Sequence, residues 1–152
     1  MKYLLDTNAC VRYINGRSPQ LRLKITNTPR TDLGVSAITT AELFYGSAKS
    51  QTPERSRERQ TEFLQTIISL PFNEVSAVTY ASLRVDLERV GTPIGQHDML
   101  IAAIALTNDL ILITHNRETM SRAGVLYGVT MGSDGASRLL SIVFEEAVKV
   151  AK

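Results

Sequence analysis

The chain has 152 residues, 43% hydrophobic and 21% charged, with a formal net charge of +2 and a pI near 8.8; this is the make-up of one ordinary globular domain, and it neither demands nor excludes a nucleic-acid partner. A single cysteine, Cys10, excludes an internal disulfide and a cysteine-built zinc site, and two histidines without a His-Glu-x-x-His spacing argue against a histidine-rich one. The longest apolar run has eight residues, far below the ~20 of a membrane helix, and Asp6 interrupts the apolar start before a secretory signal can form, so the chain reads as cytoplasmic, reduced and without a membrane role.

Lys2 to Leu5 reads as a short strand ending in Asp6-Thr-Asn8, followed by a helix through Val11, Tyr13 and Ile14 that Gly16 and Pro19 break. Gln20 to Thr26 reads as a short second helix and Asp32 to Ser36 as a second strand. The spacing of Ile38, Ala41, Leu43, Phe44 and Ala48 predicts a helix to Ser50, with Ser36 or Thr39 as its starter and Glu42 in its first turn or so. Pro53 to Ser69 reads as a charged helix with Phe63, Leu64, Ile67 and Ile68 facing inward, and Leu70 to Phe72 as a connection or edge strand. Its Arg55, Arg57 and Arg59 read first as a solvated face, with phosphate contact as the weaker alternative. Asn73 or Ser76 starts a long helix through Val75, Val78, Ala81, Leu83, Val85 and Leu87 that stops at Gly91.

Met99 to Leu106 is apolar on every side, as in a helix buried all round. Asp98 stands immediately before it, where a short carboxylate serves as an N-cap. Leu110 to Ile113 reads as a central parallel strand, apolar throughout and ending in Thr114-His-Asn116. A last strand at Val125 to Met131 and an amphipathic helix from Asp134 to Lys152 complete the chain. The alternation of strands and helices indicates an α/β protein with a parallel sheet.

Asp6, Glu42 and Asp98 each have a local reading, as a cap, a capping-box partner or a solvated side position. They also have a shared one. All three fall at strand-to-helix junctions or in early helical turns, and in a parallel sheet those ends converge on one edge. Gathered carboxylates repel unless a cation compensates them. Oxygen-only ligation suits Mg²⁺ or Mn²⁺ rather than zinc, and such an ion supports phosphodiester hydrolysis.

Four stretches carry a family resemblance: Leu4-Leu-Asp-Thr-Asn8, Ala41-Glu-Leu-Phe-Tyr-Gly46, Pro93-Ile-Gly-Gln-His-Asp-Met-Leu-Ile-Ala-Ala103 and Thr114-His-Asn116. In this order and spacing they resemble a PIN domain, and more narrowly the VapC toxins of bacterial type II toxin–antitoxin systems, over residues 1–126. The resemblance implies an α/β/α sandwich around a parallel sheet. It also implies a Mg²⁺- or Mn²⁺-dependent endoribonuclease acting on structured RNA, often tRNA, and leaving 5′-phosphate and 3′-hydroxyl ends. It carries metal-ligand roles onto Asp6, Glu42 and Asp98, and supporting hydrogen bonds onto Asn8 and Thr114. It further implies a homodimer and a VapB-type antitoxin whose peptide occupies the active-site groove.

The chain departs from the family at two places. Asn116 stands where many PIN domains have a fourth acidic residue, which puts a second metal in doubt and makes Glu118 a candidate substitute. Residues 127–152 form an atypical extension without tryptophan, expected to add a C-terminal helix packed on or beside the domain. Arg12, Arg17, Arg22, Lys24, Arg84 and Arg89 are candidates for the RNA backbone. His97 and His115 read as groove or capping residues, and Cys10 as a small buried hydrophobe. The rival readings are a PIN-fold RNA-binding or regulatory protein with weak or lost nuclease activity, and a metal nuclease directed at DNA.

Overall fold

A computed structural model describes residues 1–89, 91, 94–114, 128–131 and 137–140. The elements are β1 (Tyr3–Leu5), α1 (Thr7–Ile14), α2 (Pro19–Asn27), β2 (Leu33–Ser36), α3 (Ala37–Ala48), α4 (Pro53–Leu64), β3 (Ile68–Leu70), α5 (Glu74–Arg89), α6 (Gln96–Thr107), β4 (Ile111–Ile113), β5 (Gly128–Met131) and β6 (Ser137–Leu140). Four strands form a parallel sheet in the order β3-β2-β1-β4. In the central pairings Leu5 stands opposite both Val35 and Ile113, so β1 and β4 end level and β2 runs one residue further, to Ser36.

Successive side chains of a strand point to opposite faces, and β1 uses both. Leu5 joins Ala9, Cys10, Leu21, Ile25, Leu43 and Phe63, from α1, α2, α3 and α4, in one buried cluster. Leu4 joins Ile101, Ile104 and Ala105 of α6 in another. Beside this second cluster, Met99 and Ala102 of α6 pack with Leu87 of α5. Helices on both faces of a parallel sheet make the expected α/β/α sandwich. The apolar run of α6 is buried as its composition requires, with Ile101, Ala103 and Ile104 at most 1% exposed. Gly16 (φ 65°) and Gly91 (φ 69°) adopt the left-handed conformation after α1 and α5, which is why those helices stop there.

Three expectations need correction. The charged helix ends at Leu64 rather than Ser69, because Ile68 to Leu70 pair with Gly34 to Ser36 and form the edge strand β3. Ile68 is therefore exposed rather than inward-facing. Along α5, Val75, Val78 and Val85 are exposed, and the inward side is carried by Ser76, Leu87 and the half-buried Tyr80 and Leu83. Ser137 to Leu140 is a strand rather than part of a C-terminal helix, pairing antiparallel with β5 in a separate two-stranded sheet. The apolar spacing of Leu139, Leu140 and Val143 suits a helix, but backbone pairing with residues 128–131 prevails at 137–140. The remainder of the predicted helix, residues 141–152, lies outside the described residues.

Candidate active site

Asp6 follows β1 directly. Its backbone N–H donates to the Ile113 carbonyl at 3.0 Å, joining the ends of β1 and β4. In extended conformation it caps α1: Oδ1 accepts the Ala9 N–H at 2.6 Å. Oδ2 accepts the Thr114 hydroxyl from the end of β4. The residue is 3% exposed. Capping and a site role are thus both available to one carboxylate. One turn on, burial pushes the Cys10 thiol well above its ordinary pKa, with the Asp6 charge adding to the effect. That removes a thiolate nucleophile from the chemistry.

Glu42 lies in the second turn of α3, deeper in the helix than its sequence context suggested. The helix starts cleanly because Ser36 Oγ accepts the Thr39 N–H at 2.9 Å. The Glu42 side chain is 29% exposed. Its Oε2 accepts the Thr7 hydroxyl, and its Oε1 is 2.8 Å from His97 Nδ1. Both partners of Glu42 were missed in the sequence. Thr7 reads from the sequence as part of Asp-Thr-Asn or a helix cap, and His97 as a groove residue beside Asp98, neither as a partner of Glu42.

Asp98 is not the N-cap of α6. The helix begins at Gln96, with Gly95 as its cap residue, and places Asp98 in the first turn. A Cβ on Gly95 would stand 3.1 Å from Asp98 Oδ2, so the loop must pass close beneath this carboxylate. A negative group here also meets the positive end of the helix dipole.

Thr7, Asn8, Glu42, Gly95, Gln96, His97 and Asp98 line one cleft of about 440 Å³. Glu42 and Asp98 therefore share a cavity, and Asp6 is buried one residue behind its Thr7 wall. Among the described residues, no three His, Cys, Asp or Glu side chains already converge as a metal cage. The donors nevertheless suit a hard cation, since they are carboxylate oxygens with one imidazole and no sulfur beside them. None of the six basic candidates lines this cleft. Arg84 pairs with Glu88 at 2.8 Å and Arg89 with Asp86 at 3.3 Å, both on the exposed side of α5. The positions of His115, Asn116 and Glu118 lie outside the described residues.

The carboxyl edge of the parallel sheet thus carries Asp6, while Glu42 and Asp98 line one cleft between α3 and α6. The PIN domain family model matches residues 3–126, and the chain belongs to that family. Within it, the chain resembles the tRNA(fMet)-specific endonuclease VapC of Shigella flexneri. The two are 33% identical over 126 residues, which is 83% of this chain and 95% of the relative. Ribonuclease VapC2 of Haemophilus influenzae is 35% identical over 122 residues, covering 80% and 92%. Among solved structures, the DNA-bound VapBC of Salmonella typhimurium superimposes with a TM-score of 0.75 at 32% identity, covering 82% of this chain and 95% of that one. VapBC2 of Rickettsia felis, bound to a DNA fragment from its promoter, gives 0.73 at 31% identity, covering 81% and 94%. The chain is a ribonuclease of the VapC group, the toxin side of VapBC toxin–antitoxin systems.

Proposed function

We propose that Asp6, Glu42 and Asp98 hold a Mg²⁺ or Mn²⁺ ion and that the chain hydrolyses phosphodiesters of structured RNA, with tRNA the favoured class. The observation that carries this reading is the shared cleft of Glu42 and Asp98, whose Thr7 wall follows Asp6 directly in the chain. When bound, the cation supplies charge neutralisation at the phosphoryl oxygen and a more acidic water. The protein supplies orientation. Ala9 and Thr114 fix both oxygens of Asp6, and Thr7 and His97 hold those of Glu42. Asn8 lines the cleft beside them, available to the substrate or to the acidic groups. A buried carboxylate held by two donors keeps its aim without reorganising during the reaction.

The solved relatives are VapBC complexes, which supports a VapB-type antitoxin as the protein partner. We assign homodimer formation to the exposed Val75, Val78 and Val85 on α5, an apolar stripe that a second copy would cover. Residues 1–126 form the nuclease unit and 127–152 an extension beyond it. No helix among the described residues is long and apolar enough to cross a membrane. Action in the cytoplasm follows from an RNA substrate.

Incubating the purified chain with total tRNA tests the reading. Cleavage should vanish in excess EDTA and return with added Mg²⁺ or Mn²⁺. Undiminished cleavage in EDTA would refute the metal mechanism, and RNA binding without cleavage at any metal concentration would leave the regulatory reading in its place.

A further inference from the structure

A second cavity, of about 340 Å³, lies at the other end of α1 from the cleft and is built from cations. Arg22 of α2, Arg30 and Arg59 of α4 line it, against one carboxylate, Glu62. Among the described residues none of the three arginines takes part in an ion pair. Two of them are nonetheless held in place. Arg59 Nη2 donates to the Ile14 carbonyl, and Arg30 Nη2 donates to the Tyr13 hydroxyl at 3.4 Å. The Tyr13 ring packs on Phe63 with centroids 5.1 Å apart, giving the cavity an aromatic side. The hydrogen bond from Arg30 draws the Tyr13 phenol below its ordinary pKa against the effect of burial, and the charges of Arg30 and Arg22 act in the same direction. Three cations against the single carboxylate of Glu62 leave an excess of positive charge, and an anion seated among them relieves that cost.

Guanidinium groups match the oxygens of phosphate and of carboxylate with paired N–H donors, which disfavours a simple halide and leaves position to choose between the two. The position favours the same ligand as the cleft. α1 carries Thr7 and Asn8 into the cleft and Tyr13 into this cavity. Six residues of helix separate Thr7 from Tyr13, or about 9 Å along the axis. A strand held in the cleft can therefore reach the arginines a few nucleotides away. We propose that Arg22, Arg30 and Arg59 form a second RNA site, which takes a backbone phosphate of the substrate away from the bond that is cut.

This site rests on the ribonuclease reading above, and the test separates the two. The full chain and its Arg22→Gln/Arg30→Gln double variant are compared on a long structured RNA and on an oligonucleotide too short to leave the cleft. Binding is measured in EDTA at several salt concentrations. Arg59 is left intact because it ties α4 to α1, and the exposed Arg22→Glu variant serves as a second probe should the double variant unfold. The double variant should raise KM for the long RNA about tenfold with kcat unchanged, and should leave the short substrate unaffected. The slope of log affinity against log salt should fall by about 0.7, the value for one phosphate contact on a single strand. An unchanged KM and slope in both variants would overturn the second site. So would weakened binding of an acidic antitoxin peptide with RNA binding intact, which would make the cavity a protein-docking site. If the unaltered chain neither binds nor cuts RNA, the ribonuclease reading fails first.

Discussion

Asp98→Asn should lower RNA cleavage by roughly 10³-fold, the equivalent of about 4 kcal/mol of transition-state stabilisation, and leave the fold in place. The side chain sits in the first turn of α6 above Gly95, on the wall of the cleft. Asparagine keeps its shape and one oxygen there but removes the charge a divalent ion needs. The favourable interaction of a carboxylate with the helix N-terminus is worth about 0.3–1 kcal/mol, so the loss of stability should stay near that range. Single-turnover cleavage of tRNA and a thermal unfolding curve on the same sample check both halves. A variant that cuts at the parental rate would show that Asp98 is a helix-terminal charge and nothing more.

The second large effect separates two uses of Asp6. Asparagine caps helices about as well as aspartate, so Asp6→Asn should retain the Ala9 hydrogen bond and unfold within about 1 kcal/mol of the parent. Its cleavage should still collapse, because a neutral amide cannot balance a cation. Asp6→Ala removes the cap, worth about 1 kcal/mol, and takes an acceptor from Thr114 in a site 3% exposed. Losing a hydrogen bond to a charged acceptor costs about 1.5–3 kcal/mol, so the alanine variant should lose about 2–4 kcal/mol. Urea denaturation beside cleavage assays distinguishes these outcomes. Wild-type cleavage by Asp6→Asn would reduce Asp6 to a structural cap.

The chain was easiest to read where one periodicity held without competition. Leu4 and Leu5 precede an aspartate at the end of a buried strand, and both the strand and the position of Asp6 followed. The all-apolar run after Asp98 could only be buried, and α6 is. The start of α6 was misplaced because polarity was taken as its boundary. Gln96, His97 and Asp98 are polar yet helical, since they form the turn that faces the cleft. Ile68 misled for the opposite reason: its apolar character suits either a helix face or an edge strand, and only pairing with Gly34 decides between them. The tail shows the same competition, with Leu139 drawn into a strand by Val129.

The side-chain partners of the acidic residues were less legible than the residues themselves. Glu42 is met by Thr7 from 35 positions away and by His97 from 55, and nothing in local spacing encodes either contact. The arginine cavity is hidden in the same way. Arg22 was already a candidate for RNA, but Arg30 carried no signal and Arg59 looked like part of a solvated face until Ile14 and Tyr13 were placed beside them. Arg84 and Arg89, by contrast, are each engaged by a carboxylate of their own helix.

Mn²⁺ titration followed by electron paramagnetic resonance, on the parent chain and on Glu42→Gln and Asp98→Asn, addresses the acidic centre without depending on turnover. The parent should bind the ion, and each variant should bind it at least about tenfold more weakly with its unfolding midpoint little changed. Equal Mn²⁺ affinity in all three proteins would mean that these carboxylates do not share a cation.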